Sequence, residues 1–366
     1  MMAGASEQLE DRSMPISIPV EMPLAMNRQW RTARRPRSEF RLAQKIQLLL
    51  QTLRLLAGPR RFCDYRFRMS IGVKHAGALE SLDGWQRAGV VRPILGRQIF
   101  QSVLGRPEAR QILVLHGFPT ASYDYAPVAV RLASAFHLTL FDFLGFGFSE
   151  KPVTHRYSLF EHADFVEAIV DEARIRRVHL VAHDMGGSVA LELLRRPAFA
   201  AKTASISLMN AGLLISVYRP FLIQRLLRKP LLGEALSRLV TQRVFIRRMR
   251  CLFSPGHPPS ERLLTDMWAL ASRGGGTRIY AKLIRYMDER EIHEPDWLGA
   301  YSAYPGPIQL IWGMLDPISG NAGPELAALR EGTPIKRLDN VGHYPQIEDP
   351  ETVAQAIRDH VMHADS

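Results

Sequence analysis

The stretch Val178–Gly187, with the sequence VHLVAHDMGG, decides the fold. Its first residues have the apolar, partly β-branched character of a buried strand, and its glycines open a helical segment directly afterwards. Asp184 stands between the two, with Ala182 and Gly186 as its small neighbours. A sharp turn from strand to helix in a small-x-nucleophile-x-Gly frame is a nucleophile elbow. We therefore expect Asp184 to project from the carboxyl edge of a sheet, where ligands bind in open α/β folds.

An aspartate at this position favours a particular chemistry. A carboxylate is ordinarily ionised at neutral pH, so it needs no base for its first attack on carbon. Attack on an sp3 carbon forms an alkyl ester, and water must then hydrolyse that ester with the help of a base. Asp184 therefore predicts epoxide opening or carbon–halogen cleavage rather than ordinary ester hydrolysis. The structural alternative is an aspartate that caps the following helix.

Two further motifs supply the expected partners in the order nucleophile, acid, histidine. WGMLDP places Asp316 after an apolar strand, and NVGHYP places His343 after the next strand. We expect His343 to be the base that activates water. Asp316 would fix the tautomer of the imidazole and stabilise the imidazolium. Ordinary loop roles are the alternative for both residues.

The motif HGFP, which begins at His116, predicts an oxyanion hole. The backbone N–H groups of Phe118 and Met185 would stabilise the oxyanion that forms when water attacks the ester of Asp184. Because this loop must turn sharply, Phe118–Pro119 is a candidate cis peptide bond.

The chain from about Gly84 alternates strands and helices. This succession predicts an α/β fold with a mostly parallel sheet and helices on both faces. The predicted strands are Gln98–Val103, Gln111–Leu115, Leu138–Phe143, Val178–His183, Ala204–Met209, Ile308–Trp312 and Ile335–Leu338. The predicted helices are Tyr157–Ala173, with a capping box of Ser158 and Glu161, Gly186–Leu194 and Pro350–Met362.

Residues 213–300 break this alternation and predict an inserted helical cap. We expect helices at Tyr218–Leu227, Glu234–Phe245, Glu261–Ala271 and Thr277–Arg290. The predicted organisation is a basic N-terminal extension (1–90) with an amphipathic helix over Glu39–Ala57, a first core part (91–212), the cap (213–300) and a second core part (301–366).

The charge balance bears on partners. Lys and Arg number 47 against 36 Asp and Glu, which gives a formal net charge of +11. The excess lies largely in residues 1–60, with ten basic and five acidic residues, and in 213–250, with nine basic and one acidic. Neither stretch holds the predicted triad, and no recognition motif accompanies the charge, so we expect no nucleic-acid partner. We expect a cytoplasmic protein in which the basic stretches are a helix docked on the domain and solvated helix faces. Peripheral contact with an anionic membrane is the alternative.

Other features of the composition exclude whole classes of site. Two cysteines, Cys63 and Cys251, are too few for a disulfide framework or a cysteine zinc site. The expected chemistry needs neither cofactor nor metal. No apolar run reaches the roughly 18 residues of a membrane span. The sequence indicates no oligomeric state.

Together, HGFPT, DFLGFGFSEKP, AHDMGG, WGMLDP and GHYPQIEDP resemble the α/β-hydrolase fold, in the aspartate-nucleophile branch of epoxide hydrolases and haloalkane dehalogenases. Within that branch, DFLGFGFSEKP, YSLFE and HYPQIEDP are similar to the mesoderm-specific transcript (MEST) family. The resemblance covers roughly residues 90–360. It implies a hydrolase of undefined substrate, which in animals begins with a hydrophobic span and is associated with internal membranes.

Departures from the branch separate the two chemistries. Dehalogenases of this branch bind halide with an Asn in the oxyanion loop and a Trp after the nucleophile, where this chain has Phe118 and Met185. Epoxide hydrolases polarise the epoxide oxygen with two cap tyrosines, and the candidates here are Tyr218, Tyr280 and Tyr286. We expect an epoxide hydrolase-like enzyme that acts on a hydrophobic small molecule. The alternatives are a dehalogenase-like enzyme, a lipid hydrolase, or a membrane-associated scaffold without strong turnover.

Overall fold

A single sheet of eight strands, in the order β1-β2-β4-β3-β5-β6-β7-β8, organises the computed structural model, which describes residues 79–365. The strands from β4 to β8 in that order run parallel, whereas β1 pairs with β2, and β2 with β4, in the antiparallel sense. The strands are β1 Gly89–Ile94, β2 Arg97–Leu104, β3 Gln111–Leu115, β4 His137–Phe141, β5 Val178–His183, β6 Thr203–Met209, β7 Ile308–Gly313 and β8 Ile335–Leu338. The predicted α/β-hydrolase fold class is confirmed.

The central strands are buried on both faces, which explains their continuous apolar sequences. Successive side chains of a strand point to opposite faces, so each central strand contributes to two cores. Leu180 and Ala182 of β5 pack in one cluster, whereas Val181 packs in the other. Leu115 of β3 is paired with Ala182, so both strands end at the same edge of the sheet. This edge carries the elbow.

Helices cover both faces of the sheet. Met185–Leu194 and Leu159–Glu172 pack together on one side, and Ala126–Leu132 and Pro350–Ala364 pack together on the other. The shorter helices are Leu82–Arg87, Pro197–Ala200, Ala322–Ala328 and Pro345–Glu348, with a 3-10 turn at Ser122–Tyr125. In the described residues, no helix is long and apolar enough to cross a membrane.

The segment between β6 and β7 is helical. It consists of Leu222–Leu227, Leu232–Arg238, Gln242–Arg250, Glu261–Ser272, the 3-10 segment Arg273–Ile279, Tyr280–Leu283 and Tyr286–Ala303. Several predicted bounds were wrong. The first helix begins at Leu222 rather than Tyr218, two residues after Pro220. The predicted helix Glu234–Phe245 is two helices, because Thr241 caps a new one at Val244 N. The predicted helix Thr277–Arg290 is also divided, and its second part runs on to Ala303.

Three other expectations need correction or lie outside the structure. The strand β1 was missed, since its sequence GVVRPI contains a proline and its side chains are largely exposed. The capping box was wrong in one half: Ser158 accepts from Phe160 N, but Glu161 pairs with His155 rather than with the helix terminus. The helix predicted for Glu39–Ala57 lies outside the described residues. The predicted division into extension, core and cap stays a prediction.

Candidate active site

The strand β5 ends in a strained turn at Asp184. Its backbone has φ 45° and ψ −113°, a conformation that non-glycine residues rarely adopt. The turn is possible because Gly186 lies against β3: a Cβ there would be 2.4 Å from the backbone oxygen of Leu115. The Asp184 side chain makes no capping hydrogen bond to the helix that begins at Met185. The geometry is that of an elbow and not that of a helix-capping aspartate.

The Asp184 carboxylate is held by the loop after β3. Phe118 N donates to Oδ2 of Asp184 over 3.1 Å. A Cβ on Gly117 would lie 2.7 Å from Cβ of Asp184, so glycine permits this close approach. The Phe118–Pro119 bond is cis, as predicted. Within residues 79–365, no hydrogen bond joins Met185 N to the carboxylate, and Oδ1 accepts none.

The acid and the histidine meet at the same edge of the sheet. Nδ1 of His343 lies 2.8 Å from Oδ2 of Asp316, and both residues are buried. The backbone oxygen of His343 lies 2.7 Å from Nε2 of His183, the neighbour of Asp184 on β5. This contact ties the histidine loop to the elbow.

Two side chains that sequence reasoning missed hold the acid in place. Asn210 donates from Nδ2 to Oδ2 of Asp316 over 2.9 Å, and Ser319 donates to the same oxygen over 2.5 Å. Asn210 also exchanges hydrogen bonds with both backbone groups of Gly313. The position of Asn210 directly after β6 could have predicted its place in the site, since polar residues at the carboxyl ends of parallel strands converge. No feature of the sequence around Ser319 indicates its role.

The hydrogen bonds of the pair set its protonation. Burial alone would raise the pKa of Asp316, but His343, Ser319 and the N–H of Ile318 outweigh it and hold that pKa at about 2. For His343, burial opposes protonation, yet the Asp316 carboxylate outweighs burial and raises the pKa of His343 above its ordinary value. The arrangement is an ionised carboxylate that makes the imidazole a stronger base.

An apolar cavity of about 200 Å³ opens above these groups. Asp184 and His343 line it, together with Phe118 and the rings of Tyr218 and Tyr280. Its remaining walls are mostly aliphatic and aromatic side chains from the segment between β6 and β7. In the described part of the chain, no cluster of three or more His, Cys, Asp or Glu could hold a metal ion.

The three candidate tyrosines take different positions. Burial raises the pKa of Tyr218 to about 12 and that of Tyr280 still further, so both phenols are neutral at physiological pH. The hydroxyl of Tyr280 is buried and has no hydrogen-bond partner among residues 79–365. Tyr286 does not line the cavity; its ring packs against Phe118, with ring centroids 6.0 Å apart. The structure therefore brings Tyr218 and Tyr280, but not Tyr286, to the cavity.

Arg290 is a further buried charge that sequence reasoning missed. It projects from the helix Tyr286–Ala303, and its Nη2 lies 3.8 Å from Oδ1 of Asp184. Its Nε donates to the hydroxyl of Ser188 over 3.0 Å. Nothing in the local sequence DERE distinguishes it from a solvated arginine of a charged helix.

These observations define a hydrolase with a strand–elbow–helix centre, and comparison with known proteins agrees. The model of the "Alpha/beta hydrolase family" matches residues 112–356, and the chain belongs to this family.

The particular relatives agree with the resemblance predicted from sequence, which is confirmed. The human "Mesoderm-specific transcript homolog protein" (Homo sapiens) is 38% identical over 74% of this chain and 84% of its own length. LipZ of Mycobacterium tuberculosis is 38% identical over 75% of this chain and 96% of its own.

Solved structures show the same fold. A haloalkane dehalogenase, DbeA from Bradyrhizobium elkani, aligns with a TM-score of 0.66 at 24% identity, over 76% of this chain and 98% of that one. The epoxide hydrolase CorEH aligns with a TM-score of 0.64 at 21% identity, over 75% and 98% of the two chains.

Proposed function

We propose that this hydrolase opens hydrophobic epoxides through an alkyl ester on Asp184, which a water activated by His343 then hydrolyses. One observation carries the proposal: the Asp184 carboxylate lines an apolar cavity with one oxygen held by Phe118 N, and His343, which is paired with Asp316, lines the same cavity. An apolar cavity suits a hydrophobic substrate, because moving the apolar surface of the substrate from water into the cavity is favourable.

In the first step, Oδ1 of Asp184 attacks an epoxide carbon and the carbon–oxygen bond of the ring breaks. The developing alkoxide needs a hydrogen-bond donor inside the cavity. Neutral phenols can supply it, and Tyr280 has an unused buried hydroxyl. Tyr218 lines the same cavity and would be the second donor.

In the second step, water attacks Cγ of Asp184 while the neutral imidazole of His343 takes its proton. Asp316 stabilises the imidazolium that forms. The oxyanion develops on Oδ2, where Phe118 N already donates, and Met185 N would be the second donor. Collapse of the tetrahedral intermediate breaks the bond between Cγ and Oδ1, and Oδ1 leaves with the alkyl group and takes the proton back from His343. The second proton of the water, left on the Asp184 carboxyl group, replaces the one that the phenol gave to the ring oxygen, so the product is a diol and Asp184 is again a carboxylate.

The residues beside Asp184 favour an epoxide over a halide leaving group. The side chains of Phe118 and Met185 carry no N–H group, so neither can bind a departing halide. The phenols of Tyr218 and Tyr280 suit an alkoxide instead.

The decisive experiment is a single turnover of a hydrophobic epoxide, such as styrene oxide, in water labelled with oxygen-18. Mass spectrometry of the peptide that contains Asp184 should find the label in that carboxylate, since water adds to Cγ. His343→Gln should accumulate the unhydrolysed ester on the same peptide. Turnover without label in Asp184, or full activity of Asp184→Ala, would reject the mechanism.

We also propose that residues 213–300 form a cap whose outer surface contacts an anionic membrane. Leu222, Leu231 and Leu239 are 69%, 82% and 70% exposed on this surface. Basic residues lie near them in the sequence: within residues 213–250, Arg225, Lys229, Arg238, Arg243 and Arg247 are exposed and Glu234 is the one acidic residue. Exposed leucines among arginines suit the headgroup region of anionic lipids. Leu239 also lines the cavity, so an apolar substrate could enter from the lipid.

Vesicle sedimentation tests this contact. The protein should bind phosphatidylcholine vesicles that contain phosphatidylserine and should not bind phosphatidylcholine alone. Leu231→Ser and Arg243→Glu should each weaken binding, and added salt should weaken it in the wild type. Equal binding to neutral vesicles, or none to anionic ones, would reject it.

A further inference from the structure

Arg290 is buried beside the proposed nucleophile in an electrostatically unusual setting. Its side chain is 1% exposed to solvent. In the described part of the chain, Asp184 is the one carboxylate that pairs with it. Its Nη1 has no hydrogen-bond partner among the residues that the structure describes. A buried guanidinium whose one counter-charge is 3.8 Å away rises in free energy when that partner loses its charge.

The residues around the guanidinium of Arg290 hold it in a defined position. The guanidinium carbon lies 4.9 Å from the ring centre of Tyr286 and 5.4 Å from that of Tyr218. A Cβ on Gly212 would lie 2.6 Å from Nη1, so the absence of a side chain there makes room for the guanidinium. Its Nη2 also donates, at 3.5 Å, to the backbone oxygen of Asp184. The two tyrosine rings, the space at Gly212 and the backbone oxygen of Asp184 together hold the guanidinium beside the Asp184 carboxylate.

We propose that Arg290 is a positioning residue that drives release of the ester from Asp184; the inference rests on the proposed function. Formation of the ester neutralises Asp184 and passes its negative charge to the ring oxygen, so the buried Arg290 loses its carboxylate partner. Addition of water to Cγ creates a negative tetrahedral intermediate, and its collapse restores the carboxylate. Arg290 therefore favours both the transition state and the product of hydrolysis over the ester.

The same charge has the opposite effect on the first step. In the free enzyme, Arg290 stabilises the carboxylate that must be consumed by alkylation. Its removal should leave alkylation unchanged or faster while hydrolysis slows. A purely structural role would instead slow both steps together.

Rapid-quench kinetics with styrene oxide separate the two rates, with the ester measured on the Asp184 peptide. We expect Arg290→Met to slow ester hydrolysis about tenfold or more, without slowing alkylation. Arg285→Met is the matched control, because Arg285 is exposed just before the same helix and the net charge changes equally. It should retain both wild-type rates.

Two polar variants of Arg290 test the same inference if Arg290→Met does not fold. Arg290→Lys keeps the charge and should stay within about threefold of the wild-type hydrolysis rate, whereas Arg290→Gln should be about tenfold slower. Equal hydrolysis rates in the Lys and Gln variants, or an equal loss in both steps for Arg290→Met, would overturn the inference. If the wild type forms no ester on Asp184, it is the proposed function that fails instead.

Discussion

Replacing Asp316 by asparagine should weaken His343 as a base. The imidazole activates water only when neutral, so wild-type ester hydrolysis is lost as the pH falls through the raised pKa of His343, above 6.5. The Asp316–His343 contact is buried and 2.8 Å long. A hydrogen bond to a charged group contributes about 1.5–3 kcal/mol, and one pKa unit corresponds to about 1.4 kcal/mol. The acidic limb of Asp316→Asn should therefore move down by about one to two pH units.

The same substitution should cost stability, whichever way the new amide turns. Oδ1 of Asp316 accepts from Ile318 N, and Oδ2 accepts from Asn210 and Ser319 as well as facing His343. An amide places its NH2 group against one of these sets of donors. A buried donor left without an acceptor costs about 1–3 kcal/mol, which urea denaturation would measure.

The pH shift is measured as the rate of ester hydrolysis in single turnovers from pH 5 to pH 9. Asp339→Asn is the control, because Asp339 undergoes the same chemical change on the surface, where its side chain is 76% exposed. Its acidic limb should stay at the wild-type position. An acidic limb that stays at the wild-type pH in folded Asp316→Asn would refute the role given to this carboxylate.

Three other substitutions test separate parts of the site. Tyr280→Phe should slow alkylation by an epoxide about tenfold or more, because it removes a buried phenol hydroxyl that has no partner among residues 79–365, and a wild-type alkylation rate would count against that role. Gly186→Ala should lower the free energy of unfolding by about 1–3 kcal/mol, since its Cβ would lie 2.4 Å from the backbone oxygen of Leu115; unchanged urea denaturation would contradict this. Asn210→Ala should cost about 1–3 kcal/mol by the same assay, because it removes a donor to buried Asp316, and a stability equal to wild type would show that the bond contributes little.

Much of the fold could be predicted because its signals are local. Short apolar runs in the sequence predict the buried strands β3, β5, β6 and β7. The elbow at Asp184 needs small residues at fixed offsets, which the sequence also shows. Errors arose where a boundary depends on one cap or one proline. The edge strand β1 was missed because half-exposed strands carry a weak pattern.

The positions of Asp184, Asp316 and His343 in chain order were determined by the sequence alone, because each follows a strand of a parallel sheet and such strands end at one edge. The tertiary structure alone decided that Asn210 and Ser319 hold the acid, that Tyr280 and not Tyr286 lines the cavity, and that Arg290 lies behind Asp184. Arg290 is more than 100 residues from Asp184 in the chain. The sequence of a helix rich in charged residues does not show whether one of its arginines faces water or a nucleophile. Only the packing of that helix against the elbow buries the charge, and burial gives it influence over the chemistry.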